Sequence, residues 1–588
     1  MTGPRPLRVA NCSGFYGDRL SAAAEMVEGG PIDVLTGDWL AELTMLILAK
    51  ARMKRPGGGW ATTFLTQLEQ VLGTCIDRNI KVVSNAGGLD PASCADAVRE
   101  LADRLGLTVK VAHVEGDDLL GRLDELQAAG HPLVNLDTGE RLADLGISPV
   151  TANAYLGGWG IAECLARGAD VVVTGRVTDA ALVVGPAAWR FGWSHDDWDR
   201  LAGAVVAGHV IECGAQATGG NYAFFDEIPG LEHPGFPIAE IAEDGSSVIT
   251  KHPGTGGLVS VGTVTAQLLY EIAGPAYANP DVVARFDTIR LAPDGPDRVR
   301  IDGARGEPPP STAKVALNYI GGYRNTMTLV MTGLDAQAKA DLALRTLWPL
   351  VPRETFDTVD VALTGPGLHG DDPATNDDAL SFLRVTVMSG DETKVGRAFS
   401  SAVIEMALAS YPGFFGTSAP GGATLYGVYW PTTVPAELVE QIAVVDGERV
   451  RVAAPPVRAA GPAAARGVAA LPLAPGGPTA PVPLGRLVGA RSGDKGGNAN
   501  IGVWARAPEA FAWLDGFLTE ERFGKLVPEA AGLVVERHRL PNLLALNFVV
   551  HGLLGRGVAA STRTDAQAKG LGEYLRAKVV DVPVSLLP

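Results

Sequence analysis

The side chains best placed for chemistry sit in short polar turns that follow apolar runs. In Gly168 to Leu182 (GADVVVTGRVTDAAL) the run Val171 to Val173 ends in a Thr-Gly-Arg turn, and Arg176 and Asp179 stand three residues apart. A guanidinium beside a carboxylate suits an anion or a developing oxyanion, with the acid free for proton transfer. Asp38 and Glu42 lie four apart after Ile32 to Leu35. On a helix that spacing puts both carboxylates on one face, for acid–base work or a divalent ion. Gly208 to Tyr222 (GHVIECGAQATGGNY) gathers His209, Glu212, Cys213, Gln216, Thr218 and Asn221. A Cys beside a Glu, with a His four residues earlier, permits a nucleophile or a proton relay, while a lone Cys equally serves as a small buried apolar residue.

Glycine-rich loops form a second set, because backbone N–H groups in such loops can face an anion. They are Ser13 to Asp18, with Gly14, Gly17 and Asp18; Asn85 to Gly88, with Gly87 and Gly88; and Lys251 to Gly257, with Lys251 and Gly256. Arg491 to Asn500 (RSGDKGGNAN) adds Arg491, Asp494, Lys495 and Asn498, and reads either as a ligand loop or as a hairpin whose polar groups satisfy one another. Arg52 to Trp60 (RMKRPGGGW) is basic and glycine-rich, suited to a phosphate or to plain solvent exposure. Gly365 to Gly370 matches GxGxxG after a strand, but Asp371 and Asp372 follow where a helix N-terminus would be needed, so no dinucleotide site is expected.

These turns need elements to hold them. Leu7 to Asn11, Ile32 to Leu35, Lys81 to Ser84, Val109 to Val114 and Val171 to Val173 read as strands alternating with helical patterns, the signature of βαβ units. We therefore expect an α/β chain whose residues 1–310 form a doubly wound, mainly parallel sheet with the ligand crevice at its carboxyl edge. From Val315 to Ile320, Thr326 to Met331, Val359 to Leu363 and Leu383 to Met388, paired strands with helices predict an α+β region over 311–452. The Ala/Pro/Gly-rich segment 453–483 reads as a linker. Residues 484–588 show a βαββαβ-like order expected of a small ferredoxin-like α+β domain.

Composition narrows the function. With 49 basic and 66 acidic side chains the net charge is −17, which argues against nucleic-acid or anionic-membrane binding but not against a local cationic pocket. The segment MTGPRPLRVANCSG has no long apolar core, and no charge-free apolar run reaches membrane-spanning length. Five cysteines (Cys12, Cys75, Cys94, Cys164, Cys213) without a CxxC pair fit reduced thiols in a cytoplasm.

Taken together, TGDWLAELTM (Thr36 to Met45), SNAGGLDP (Ser84 to Pro91), ADVVVTGRVTDAAL (Ala169 to Leu182), ECGAQATGGN (Glu212 to Asn221) and RSGDKGGNANIG (Arg491 to Gly502) resemble the acyclic terpene utilisation A family. The resemblance covers the chain to about residue 450 and again after the linker, where it implies the family's ferredoxin-fold domain. It implies an acyl-CoA catabolic enzyme of acyclic terpene or branched-acid breakdown, with a lyase on a branched 3-hydroxyglutaryl-type thioester as the first reading. The alternatives are an acyl-CoA hydratase or dehydratase, and a ligand-binding or assembly partner of an acyl-CoA carboxylase or hydratase. Coenzyme A enters as part of the substrate, and a homo-oligomer is expected. A divalent metal would fall to Asp18, Asp38 and Asp179, although no HxH or HExxH spacing supports one. Arg176 and glycine-loop amides could stabilise an oxyanion without a metal, and Glu212 or Asp38 would be the base.

Overall fold

The computed structural model describes residues 4–55, 57–369, 372–456 and 472–587. Its first elements follow the alternation of apolar runs and helical patterns: β1 (Leu7–Asn11), α1 (Ala22–Glu28), β2 (Val34–Gly37), α2 (Glu42–Lys54), α3 (Thr62–Asp77), β3 (Lys81–Ser84), α4 (Pro91–Leu105), β4 (Val111–Glu115), α5 (Leu123–Ala128), β5 (Pro149–Ala154), α6 (Trp159–Ala166), β6 (Val171–Thr174), α7 (Ala181–Phe191), α8 (Trp198–Ile211), β7 (Pro237–Ile241), β8 (Ser247–Lys251) and α9 (Val261–Leu268). Local chemistry sets several boundaries. At α4 the Asp90 carboxylate accepts from the Ser93 N–H, Pro91 occupies the first turn, and Gly106 ends the helix at φ +69°. At α9, Ser260 and Thr263 form a reciprocal capping box.

An eleven-stranded sheet runs in the order Arg290–Pro293, Arg298–Asp302, β8, β7, β1, β2, β3, β6, β4, Gln441–Val445, Glu448–Val452. Only β1, β2, β3, β6 and β4 are mutually parallel; β7 joins β1, and Gln441–Val445 joins β4, antiparallel. The sheet is thus mixed where a mainly parallel one was expected. Antiparallel neighbours need no helical crossover, so the flanking strands arrive through hairpins that carry no βαβ signature. Alternate residues serve two apolar cores: Val9, Val34, Val83 and Val172 pack with α6, α7 and α8, while Ala10, Leu35, Val82 and Val171 pack with α3 and α4. Each fully buried Val or Leu contributes roughly 1.5–3 kcal/mol, which is why these strands read as continuous apolar runs.

The chain divides into two compact units, one comprising Met1–Asn318, Tyr429–Val558 and Asp565–Pro588, the other Tyr319–Val428 and Ala559–Thr564. In the second unit Thr358–Thr364 and Leu380–Ser389 pair antiparallel, and Leu380–Ser389 pairs in turn with Tyr323 to Thr332. Its core holds Met327, Leu329, Leu383, Val385, Leu347 and Phe399. The strand pair expected around Gly321 and Gly322 is one 21-residue strand, Thr312–Thr332. Gly322 takes φ +128°, so a local distortion rather than a reversal uses the glycines.

In the first unit, the C-terminal segment forms a four-stranded antiparallel sheet in the order Val488–Lys495, Asn498–Ala505, Ala545–Val550, Val535–Leu540, with helices Pro508–Phe517 and Glu520–Leu526. Of the two readings of Arg491 to Asn500, ligand loop or hairpin, the backbone takes the hairpin, with residues 488–495 and 498–505 paired antiparallel around a turn at Gly496 (φ +63°). Of the linker expected at 453–483, residues 457–471 lie outside the described residues, and Thr479–Pro483 is a strand paired with Val579–Pro583. Among the described residues no helix is long and apolar enough to cross a membrane.

Candidate functional site

The carboxyl ends of the parallel strands supply the site. Asp38 follows β2, Asn85 follows β3, Asp117 follows β4, and Arg176 and Asp179 follow β6. In-register parallel pairing brings these turns side by side. Two glycines permit the close approach. A Cβ on Gly175 would lie 2.4 Å from the Asp117 carboxylate, and one on Gly14 would lie 2.6 Å from the Cys213 backbone. Asp117 accepts hydrogen bonds from the Arg176 N–H and the Asn153 amide, both at 2.8 Å, and so holds the turn that presents Arg176.

Arg176 is buried. It pairs with Asp179 at 3.1 Å, donates to the Leu40 carbonyl at 3.1 Å, and its guanidinium carbon lies 4.3 Å from the Tyr155 ring centroid. Lys314, on the first part of Thr312–Thr332, lies over the same Tyr155 ring at 4.9 Å and over that of Tyr429 at 5.7 Å, and pairs with Glu42 at 3.7 Å. The side chains of Glu42, Lys314 and Asp179 keep 27%, 36% and 29% of their surface accessible, so water and small solutes reach the cluster. From the C-terminal segment, Lys495 donates to the Glu271 carbonyl at 2.9 Å, and Lys569 pairs with Glu271 at 3.2 Å and Asp494 at 3.4 Å. Arg491 bonds Gln216 and the Asn221 carbonyl and lies over the Tyr270 ring.

These surroundings sort the carboxyls into two kinds. Burial, reinforced by Asp179, pushes Asp38 well above the usual carboxylate range against the opposing pull of Arg176 and Asn85, whose amide donates to Asp38 at 2.6 Å. Burial, together with Asp179 and Glu271, likewise pushes Glu212 well up, and its Oε2 has no hydrogen-bond partner among the described residues. For Glu42 burial acts in the same direction, yet attraction to Lys314 and Arg176 overrides it and lowers the pKa to about 2. Burial raises Asp494 to about 6 and Asp117 to about 7. His209, 3.4 Å from Glu212, is lowered by burial and by Lys495 to about 4 and stays neutral. Burial and the nearby Glu212 push the Cys213 thiol well up, so at neutral pH it is held as the thiol and is not the activated nucleophile that its neighbours in sequence allowed.

The structure therefore brings Arg176, Asp179, Asp38, Glu212, Cys213 and Lys495 into one electrostatic cluster, with Asn85 bonded to Asp38 and Asp494 paired to Lys569. Other candidates are occupied locally. Asp18 accepts from the Gly14 and Arg19 N–H groups, and so organises the loop that holds Gly14 and Gly17. Lys251 is spent on the Thr255 carbonyl and Asp297, closing its own loop around Gly256. Asn498 bonds Asp137 and the Gly552 N–H. At Gly87 a Cβ would lie 2.5 Å from the Thr174 carbonyl, and at Gly88 2.4 Å from Leu48, so both serve packing.

Asp38 and Glu42 do not share a helix face, because α2 begins at Glu42; the turn between them brings both near Arg176. The three suggested metal ligands do not fit an ion as a set, since Asp18 is engaged by backbone donors and Asp38 and Asp179 flank Arg176. Among the described residues no group of three or more His, Cys, Asp or Glu is arranged to hold a metal. Tyr155, Tyr429, Lys314, Glu271 and Lys569 escaped the sequence reading. Tyr155 lay in the glycine-rich TANAYLGGWG stretch, while Lys314 lay at the start of an ordinary strand pattern and carried no local signal.

A mixed α/β unit with a charged site at strand ends is a small-ligand architecture, and comparison with known proteins narrows it. The profile of the acyclic terpene utilisation family protein AtuA matches residues 7–445, and that of the AtuA ferredoxin-like domain matches 482–581. The chain belongs to the acyclic terpene utilisation family and carries its ferredoxin-like domain, and membership points to a role in acyclic terpene utilisation. No curated protein and no solved structure matches it.

Proposed function

We propose that this chain is an acyl-CoA lyase of acyclic terpene and branched-acid breakdown, cleaving a branched 3-hydroxyglutaryl-type thioester. The observation that carries the reading is the split among the carboxyls around Arg176: Glu42 is held ionised, while Asp38 and Glu212 are held toward the protonated form. A carboxyl with a raised pKa has a higher proton affinity, which lets it take up a proton as a base once ionised or deliver one as an acid, whereas a carboxylate at about pKa 2 is a fixed charge.

Glu212 in its ionised form is the base, because its unpartnered Oε2 can receive the proton of the tertiary hydroxyl. As that proton leaves, the hydroxyl carbon becomes a carbonyl and the bond to the carbon beside the thioester breaks. The released electron pair moves into the thioester as an enolate. Arg176 and Lys314 are the charges available to the enolate oxygen, with Glu42 and Tyr155 holding them in place. Asp38 then delivers its proton to the enolate carbon, giving a shorter thioester and a keto acid. Asp38 suits this role because Asn85 and the Leu40 N–H both donate to Oδ1, leaving Oδ2 to carry the proton.

The test is incubation with branched 3-hydroxyglutaryl-CoA thioesters followed by mass spectrometry. Two fragments are expected, and their loss in Glu212→Gln. A mass change of one water would replace the lyase by a hydratase; an unchanged thioester across the substrate panel would refute catalysis and favour a binding or assembly role.

A further inference from the structure

The basic, glycine-rich stretch after α2 takes no part in the chemistry described so far, yet α2 runs from that chemistry to it. Glu42 opens the helix beside Lys314 and Arg176. On the outer side Leu43 and Ile47 are 38% and 42% exposed, and Lys54 is exposed on the same stripe, because positions 43, 47 and 54 recur within a narrow arc of a 3.6-residue helix. Lys54 and Arg55 are exposed at its far end, with Arg52 beside them donating to the Leu89 carbonyl at 3.4 Å. Two exposed aliphatic side chains leading from a charged site to a cationic end make an amphipathic track on a chain of net charge −17.

We infer that the outer stripe of α2 carries the coenzyme A arm of the substrate, with Leu43 and Ile47 against the pantetheine and Lys54 and Arg55 at the phosphates. This rests on the acyl-CoA reading above and adds the subsite to it. The lengths agree. From Glu42 to Lys54 the helix rises about 18 Å at about 1.5 Å per residue. An extended pantetheine runs roughly thirteen bonds from sulfur to the first phosphorus, about 16 Å at about 1.2 Å per bond. The chemistry agrees as well: the arm is largely aliphatic between two amides, and its far end carries a diphosphate and a further phosphate. Cations in the last turn also face the negative end of the helix dipole, so they are stable there before any ligand arrives.

The experiment compares coenzyme A with pantetheine by titration calorimetry, using the full chain and the charge-reversed double variant Lys54→Glu/Arg55→Glu. Both positions are exposed, so the fold should survive, and a thermal melt checks it. The wild type is expected to prefer coenzyme A, and the variant to lose about tenfold or more of that preference, as for two screened surface charges. The wild-type preference should also weaken as salt is raised. An equal preference in wild type and variant would overturn the track. So would Leu43→Glu/Ile47→Glu changing the oligomeric state while coenzyme A affinity stays the same, since the stripe would then be an interface between copies. If the variant loses the preference but no thioester is turned over by the wild type, the lyase reading fails and the track stands. If the wild type binds no coenzyme A, both fail.

Discussion

Replacing Asp117 by Asn tests the electrostatic picture of the site without touching a group assigned to the chemistry. Asp117 is buried, accepts two hydrogen bonds on one oxygen, and is raised by burial to about 7 from an ordinary value of 3.8. An acid with a raised folded-state pKa binds its proton more tightly when folded, so stability falls as pH climbs between the unfolded and folded values and levels off above the latter. The gap of about three units corresponds to roughly 4 kcal/mol at 1.36 kcal/mol per unit. Asn keeps an acceptor at the same place and has no charge to bury, so the variant escapes this loss. Unfolding of a unit this large carries an entropy of about 1 kcal/mol per degree, so the effect amounts to about 4 °C. Melting temperatures of wild type and Asp117→Asn should be compared at pH 4.5 and pH 8. Asp494 and Asp281, raised by burial to about 6, tilt both curves alike and cancel in the difference. Because pH 4.5 already lies above the unfolded value, the variant is expected to gain about 3 °C on the wild type over that interval. Parallel curves would refute the claim that Asp117 is buried against its ionisation.

The remaining expectations concern the cluster itself. Glu212→Gln should lower turnover by about 10²–10⁴, the usual worth of a general base, while its melt at pH 8 is not lowered, because Oε2 has no partner to lose; turnover within a factor of ten of wild type would exclude it as the base. Lys314→Met removes the main attraction on Glu42 and one enolate charge, and kcat should fall more than KM rises, read from steady-state kinetics. Cys213→Ser should retain turnover, and iodoacetamide at pH 7 should leave Cys213 unlabelled by peptide mass spectrometry, since the thiol is held protonated. Gly175→Ala must push the Asp117 carboxylate aside and should cost about 1–3 kcal/mol by denaturant melts, with a loss of turnover as Arg176 shifts.

What the sequence by itself determined was local. Apolar runs broken by glycine and capped by Asp, Ser or Pro specify their own strands, turns and helix starts, and so Arg176, Asp179, Asp38 and Asn85 were legible as residues at strand ends. Joint motifs along the chain made the family legible too. The tertiary structure alone decided which turns meet. Glu42 and Lys314 are 272 positions apart yet pair at 3.7 Å, and Lys495 reaches the Glu271 carbonyl across 224 positions. No local pattern encodes such pairings, because they follow from strand register and from hairpins that add antiparallel strands at the sheet edges. The same holds for the fate of look-alike residues. Asp18, Lys251 and Cys213 had the right chemistry in sequence, but backbone donors occupy the first, a carbonyl and Asp297 hold the second, and burial keeps the third protonated. Composition lists the ionisable groups; only their packed surroundings decide which of them carry a charge, and which can move a proton.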